Sequence, residues 1–185
     1  MKYELVKTDT KKIGTRTLYR IRALVDIGEV AAGALGGYAE KEANLSQYGT
    51  AWVHDSARVF GDARVFGNAH VFGDARVFGS ANVFGSANVF GNALISGNAY
   101  VFGDARVSGG AWISDSAHVY GNAHVFGDAG VFGCAHVFGS ANVFGNAKVA
   151  GDTRVFGDAS VSDNAHVFGT ARVAGDANVT NKEAK

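Results

Sequence analysis

The sequence predicts an all-β chain wound as a parallel β-helix of triangular cross-section. One six-residue phrase, Ala-x-Val-Phe-Gly-Asp/Asn/Ser, recurs from Ala51 to Val179 without an insertion. Its valine position holds Val or Ile in every repeat, and its alanine position, from Ala57 to Ala177, departs from Ala only at Thr153. A strict short period is typical of solenoids, in which each repeat contacts only its neighbours.

Each hexad is predicted to form one short strand and one corner. Alanine and valine lie two residues apart and therefore point to the same side of an extended strand, toward the axis. The residue between them and the residue after valine point outward. A residue with positive φ then turns the chain: glycine in most hexads, and Asp55, Asp115, Asp163 or Asn181 in the others. Three hexads close one coil, so the 22 hexads predict about seven coils.

Residues 1–50 differ from the repeat and are predicted to cap one end of the β-helix. The segments KYELV and TLYRIRALVDI are rich in β-branched and aromatic residues and flank the turn-like DTKKIGTR, which predicts a β-hairpin. We therefore divide the chain into a capping segment (1–50), the hexad β-helix (51–181) and a polar tail (182–185). The tail is too short to cover the second end, whose strand edges are expected to stay open.

The hexad pattern resembles that of the hexapeptide-repeat family, whose members form a left-handed parallel β-helix. The left hand is implied by this resemblance, because the general rule for β crossovers is right-handed. The segment RTLYRIRALVDIGEVAAGALGGYAEKEANLSQYGTAWV resembles the head of uncharacterised hexapeptide-repeat proteins of bacteria and their prophages. Such proteins are labelled putative transferase or polymer-forming cytoskeletal protein, but a fold does not determine a function.

The outward position after valine holds all thirteen phenylalanines of the chain. Sorting this position by eighteen residues gives three columns, one for each face of the prism. One column, which we call the aromatic ladder, is aromatic in six consecutive coils: Phe66, Phe84, Phe102, Tyr120, Phe138 and Phe156. Two interpretations stay open. Stacked rings stabilise the strands that carry them, or the ladder is a surface for self-association or for a protein partner, since a long apolar row is unusual on a monomer.

Few residues offer catalytic or metal-binding chemistry. His118 and His136 fall on one face in adjacent coils and are weak candidates for a metal site, because zinc normally takes three or four protein ligands. We expect no cofactor. The acyltransferases that this repeat resembles use a histidine base beside a projecting loop, usually at a subunit interface, and an uninterrupted repeat has no such loop. An acyl-CoA-dependent enzyme with its site between subunits is therefore the alternative to a non-enzymatic protein.

Composition narrows the classes of partner. The net charge is zero, which argues against nucleic acid and anionic membranes. The single cysteine, Cys134, has no internal disulfide partner, and the polar first residues lack an apolar signal core, so we expect a cytoplasmic protein. We predict a non-enzymatic repeat scaffold. It forms a homo-oligomer through the aromatic ladder or through the open C-terminal end, or, if it derives from a phage, it binds a host protein.

Overall fold

The structure is a computed structural model that describes residues 1–181 and 183–184. Three longer strands open the chain: β1 (Tyr3–Ile13), β2 (Arg16–Ala23) and β3 (Leu35–Ala39). A single 3-10 turn, Glu42–Asn44, follows them.

Short strands then recur every six residues as far as β25. They are β4 Trp52–Val53, β5 Arg58–Val59, β6 Arg64–Val65, β7 His70–Val71, β8 Arg76–Val77, β9 Asn82–Val83, β10 Asn88–Val89, β11 Leu94–Ile95, β12 Tyr100–Val101, β13 Arg106–Val107, β14 Trp112–Ile113, β15 His118–Val119, β16 His124–Val125, β17 Gly130–Val131, β18 His136–Val137, β19 Asn142–Val143, β20 Lys148–Val149, β21 Arg154–Val155, β22 Ser160–Ser162, β23 His166–Val167, β24 Arg172–Val173, β25 Asn178–Thr180 and, last, β26 Glu183–Ala184.

The strands form three sheets, one on each side of a solenoid. The sheets have eleven strands (β1-β2-β3-β5-β8-β11-β14-β17-β20-β23-β26), eight strands (β25-β22-β19-β16-β13-β10-β7-β4) and seven strands (β24-β21-β18-β15-β12-β9-β6). Pairing is parallel and in register at eighteen residues throughout the hexads, as in Val65 with Val83. The all-β parallel β-helix predicted from the hexads is thereby confirmed.

The solenoid starts earlier than the hexads do. Strand β3 already pairs in parallel with β5, and Leu45 forms a parallel bridge with Val65. The structure therefore has about eight turns, as the eight-stranded sheet shows, against the seven coils predicted from the hexads alone. Gly36 and Gly37 permit this first turn, because a Cβ at either position would overlap backbone oxygens of Val53 and Ala57.

Alanine and valine fill the interior, as the pattern predicts. Every valine-position residue from Val53 to Val167 is fully or almost fully buried, and so is Thr153, whose Oγ1 has no hydrogen-bond partner. The four non-glycine corner residues named from the sequence adopt positive φ, and two of them also bond to the next coil. Asp55 and Asp115 accept hydrogen bonds of 3.0 Å from the amides of Gly73 and Gly133.

The predicted β-hairpin is present as the antiparallel pair β1–β2, and it covers the first turn. Its turn is shorter than the predicted DTKKIGTR, because β1 continues to Ile13 and β2 begins at Arg16. Tyr3 is fully buried and packs edge-on against Trp52, with ring centroids 6.3 Å apart. The Tyr3 hydroxyl lies 2.9 Å from the carbonyl oxygen of Leu45. Asn44, also buried, donates to the carbonyl oxygens of Gly61 and Ala63 at 3.0 and 2.8 Å. These contacts satisfy polar groups that would otherwise be buried without partners.

The opposite end has no such cover among the described residues. Of the predicted polar tail (182–185), Glu183–Ala184 pair in parallel with β23, while Lys182 and Lys185 lie outside the described residues. Ala177 is exposed and Val179 is half-buried, although equivalent residues in earlier coils are fully buried. No helix among the described residues is long and apolar enough to cross a membrane.

Substitution of two corner glycines distinguishes the stability lost through coil stacking from the stability lost through backbone strain. Gly85 and Gly169 both have a φ near +70°, but a Cβ on Gly85 would lie 2.8 Å from the amide nitrogen of Gly103, whereas nothing lies within 4 Å of a Cβ on Gly169. We expect Gly85→Ala to lower the free energy of unfolding by about 3 kcal/mol and Gly169→Ala by about 1 kcal/mol. Urea unfolding measures both, and equal losses would contradict the close coil stacking described above.

Candidate functional site

The candidate site is the outer face of the seven-stranded sheet. Each of its strands contributes two outward side chains, because the residue before valine and the residue after it point to the same side. The second of these forms the aromatic ladder. The first forms what we call the flanking column: Arg64, Asn82, Tyr100, His118, His136, Arg154 and Arg172. The ladder and the flanking column together are the aromatic face.

The six rings of the aromatic ladder form one continuous stack. Successive ring centroids are 4.7 to 5.0 Å apart, and successive ring planes differ by no more than 4°. All six rings are half-buried, so less apolar surface is exposed than an open row would present. Stacking one coil above another covers the ring faces and leaves ring edges at the surface, and each such contact contributes about 0.5–1.5 kcal/mol. The stack therefore stabilises the coils and also supplies a flat surface.

The flanking column adds further rings beside the middle of the ladder. Tyr100 is 37% exposed and packs edge-on against Phe84, with centroids 6.4 Å apart. His118 and His136 follow it, with His118 4.9 Å from Tyr100 and 4.7 Å from His136. His136 also packs edge-on against Tyr120 at 6.2 Å. The structure thus brings the two predicted histidines and the predicted ladder together on one face.

Charged groups lie at both ends and on both sides of the aromatic face. The guanidinium groups of Arg64 and Arg172 lie 5.9 and 5.4 Å from the ring centroids of Phe66 and Phe156. Arg154 pairs in register with Arg172 in the adjacent coil. Beyond the ladder, the exposed corner residues Asp158 and Asp176 occupy equivalent positions in the same two coils.

None of these five charged residues has an ion-pair partner within the described chain. Like charges one coil apart repel each other weakly at a solvated surface. The C-terminal half of the aromatic face therefore has a positive side and a negative side, and neither is neutralised within one copy.

His118 and His136 show little of the geometry of a metal centre. Among residues 1–181 and 183–184, no group of three or more His, Cys, Asp and Glu side chains is placed to hold a metal ion. Burial, together with the nearby His118 and Arg154, lowers the pKa of His136. The two imidazoles and Arg154 form a polar strip along the ladder.

A second histidine pair, which sequence spacing did not single out, lies on the eight-stranded sheet near the capping segment. His54 Nε2 and His70 Nδ1 are 3.0 Å apart, within hydrogen-bond distance. His54 also stacks on Phe72, with centroids 4.2 Å apart. The pair lines a cavity of about 410 Å³ whose rim includes Glu29 and Thr50. The two residues are sixteen apart, because His54 takes the position after valine and His70 the position before it, so an eighteen-residue sort separates them.

Burial lowers the pKa values of both histidines. Burial and the neighbouring His70 lower the pKa of His54 to about 4, against a smaller opposing effect of Asp55. Burial lowers the pKa of His70 as well, with Glu29 opposing and Lys2 assisting. Both imidazoles are therefore neutral at pH 7, and the 3.0 Å contact is a hydrogen bond between two neutral rings.

Comparison with known proteins gives one match to a family model. A model described as YdcK Beta solenoid repeat matches residues 57–72, which is less than one coil. The match supports a β-solenoid repeat protein and agrees with the fold described above. No curated protein matches the chain.

The buried histidine pair predicts a stability that depends on pH. Unfolded His54 takes up its proton near pH 6.5 and folded His54 only near pH 4, so protonation favours the unfolded chain. The stabilisation is complete above about pH 6.5 and is lost as the pH falls toward 4. We expect a contribution of about 1–2 kcal/mol, after allowance for solvent screening of a half-buried pair.

Urea unfolding at pH 7 and pH 4.5 measures this dependence. His54→Phe is the matched variant, because most hexads carry phenylalanine at this position and a phenyl ring keeps the stack on Phe72. The variant should lose less stability than the wild type on acidification. An identical loss in both proteins would show that His54 is not responsible.

Proposed function

We propose that this chain is a non-enzymatic β-solenoid scaffold that associates with a second copy through its aromatic face. The observation that carries the proposal is the pair of unneutralised charge columns on either side of a flat aromatic stack. Arg154 and Arg172 lie on one side, and Asp158 and Asp176 lie on the other. A partner of the same sequence offers the opposite charge to each column at the same spacing.

One arrangement of two copies satisfies both columns. When a twofold axis lies between the faces and parallel to the solenoid axes, each coil meets the same coil of the second copy. The two ladders then face each other at the centre, Arg154 lies opposite Asp158 of the second copy, and Arg172 lies opposite Asp176. Such an interface is isologous, which is the common form in homodimers. An antiparallel arrangement instead sets flanking columns against each other and brings arginines together.

The dimensions of the face set the expected affinity. Six rings at one coil spacing span about 24 Å, and a hexad strand is less than about 20 Å wide. The face therefore covers roughly 400 Å², about half of what each partner buries in a standard interface. Stacking already covers the ring faces, so the association gains from ring edges, Tyr100 and the charge columns. We expect a weak dimer that dissociates on dilution.

The proposal extends to the location of the protein, its other partners and the alternative activity. The resemblance to hexapeptide-repeat proteins of bacteria and prophages supports a structural role, in the cytoplasm, with a host protein as the second class of partner. The open C-terminal end is a second route to self-association. The acyl-CoA-dependent enzyme stays the alternative, and the regular spacing of strands from Trp52 to Thr180 offers it no projecting loop.

Loss of the ring surface should abolish association. We expect the double variant Phe84→Ser, Phe102→Ser to be monomeric at concentrations where the wild type forms dimers, as measured by light scattering coupled to size exclusion. Phe60→Ser, Phe78→Ser is the matched control, because those rings also stack, at 5.1 Å and 4°, but on the eleven-stranded sheet. If both double variants dissociate alike, lost stability and not a lost interface is the cause.

Charge reversal tests the parallel arrangement. Arg154→Asp alone and Asp158→Arg alone should each weaken the dimer by about tenfold, because like charges then meet across the interface. The double variant should recover most of the wild-type affinity. Sedimentation equilibrium in low salt gives the three dissociation constants. Additive weakening in the double variant would reject the proposed contact between these two residues.

A further inference from the structure

The cavity beside the His54–His70 pair lies where the capping segment meets the solenoid, and we call it the junction cavity. The capping segment contributes a turn that the bridge between Ile27 and Val30 closes. The residues of both parts that line the cavity include Glu29, Val30, Thr50, His54, His70 and Phe72. Its volume of about 410 Å³ lies at the lower end of the range of small-molecule sites, so a ligand that fits it is small.

The lining of the junction cavity contains one unpaired charge. Among the described residues that line it, Glu29 is the one that is charged at pH 7, because both imidazoles are neutral. Glu29 is exposed and forms no ion pair within residues 1–181 and 183–184. Lys2 lies near enough to lower the pKa of His70, but its Nζ donates to the carbonyl oxygens of Gly49 and Ala51, at 3.3 and 2.8 Å. The free carboxylate therefore favours a cation in the cavity.

The histidine pair offers a free acceptor whichever ring donates. A neutral imidazole has one N–H and one bare nitrogen, and the contact between His54 Nε2 and His70 Nδ1 uses one of each. The outer nitrogens, His54 Nδ1 and His70 Nε2, have no hydrogen-bond partner in the described part of the chain. If His54 donates, its Nδ1 is bare, and if His70 donates, its Nε2 is bare. One lone pair is thus available to a donor in either case.

Thr50 supplies a further acceptor, and Val30 and Phe72 supply apolar surface. Thr50 Oγ1 donates to Asn68 Oδ1 at 2.9 Å, so its own lone pairs remain available. Phe72 is held in place by its stack with His54, with ring centroids 4.2 Å apart. Val30 is half-buried and packs against the core. The cavity therefore combines a carboxylate, a hydroxyl and an imidazole nitrogen, all able to accept, with an apolar wall.

We propose that the junction cavity binds a small primary organic ammonium ion, with its ammonium group on Glu29 and Thr50 and its apolar body against Phe72. A primary ammonium has three N–H donors and no acceptor, which matches the carboxylate, the hydroxyl and the bare imidazole nitrogen. The contact with the carboxylate is charge-assisted and stronger than one between neutral groups. An anion would be repelled by Glu29. The cavity lies on a different sheet from the aromatic face, so the proposed binding does not depend on the proposed dimer.

Three probes of similar shape separate the contributions of charge and apolar body. We would titrate the protein at pH 7 with 2-phenylethylammonium, the uncharged 2-phenylethanol and the anionic 3-phenylpropionate, following protein amide shifts by NMR. We expect 2-phenylethylammonium to bind with a dissociation constant of about 1 mM, 2-phenylethanol about tenfold more weakly and 3-phenylpropionate more weakly still. No saturable shift with 2-phenylethylammonium at millimolar concentrations would overturn the proposal, and so would equal binding of the three probes.

A carboxylate variant tests the role of Glu29. Glu29→Gln should fold, because the side chain is exposed and unpaired, and it should weaken the binding of 2-phenylethylammonium about tenfold. Asp152→Asn is the matched control, because it also removes one exposed carboxylate, at a corner where other hexads carry asparagine. The control should bind as the wild type does. Equal affinities in the two variants would overturn the role of Glu29.

A histidine variant locates the binding on the pair. His70→Asn should fold, because Asn88 occupies the same position one coil later, and it should weaken the binding of 2-phenylethylammonium several-fold by removing the paired imidazole. His124→Asn makes the same change further along this sheet, outside the cavity lining, and should leave the affinity unchanged. Wild-type affinity in His70→Asn would overturn the assignment of the ligand to this cavity.

Discussion

The narrow interior of the solenoid is the constraint on which the rest of the structure depends. Each hexad strand presents one alanine, replaced once by Thr153, and one valine or isoleucine to the axis, and these side chains are fully buried through nearly all of the coils. An interior of this size admits little variation, so the hexad coils have the same length and their residues lie beside the residue eighteen positions later, as Val65 does beside Val83. Backbone amides and carbonyls then bond from coil to coil, as Phe66 to Val83 does at 3.0 Å.

Because of this constraint, the outward side chains are arranged in columns along the solenoid. Because outward side chains repeat at one coil spacing, the identity of a column decides the chemistry of a whole face. A column of phenylalanines becomes a flat stack, and a column of arginines or aspartates becomes a line of like charge. The same regularity makes an exception informative: a histidine in a ring column joins the stack, as His54 does on Phe72.

Much of this architecture follows from the sequence. The hexad phrase predicts the inward and outward positions, the positive-φ corners at Asp55, Asp115, Asp163 and Asn181, and the three columns, and all of these are present. The first turn could not be predicted, because Leu35–Ala39 and Leu45 pair with the solenoid without carrying the phrase.

Side-chain orientation is the second feature of the structure that could not be predicted from the sequence. That His118 and His136 lie beside the ladder follows from the two-residue spacing across valine, but the ring contacts do not. The His54–His70 hydrogen bond joins two different columns, and the Trp112 indole reaches Ser96 through a side-chain conformation that a period does not encode. The half-buried state of the ladder rings likewise depends on how each ring tilts, so the sequence overstated the apolar area that the ladder exposes.

The measurement that tests the central claim most directly is site-specific photo-crosslinking. A benzophenone amino acid placed at Tyr100, which is exposed on the aromatic face, should give a covalent dimer in a concentration-dependent yield. The same group placed at Trp112, which is more exposed but lies on the eleven-stranded sheet, should give none. Equal yields from the two positions, or no dimer from position 100, would contradict association through the aromatic face.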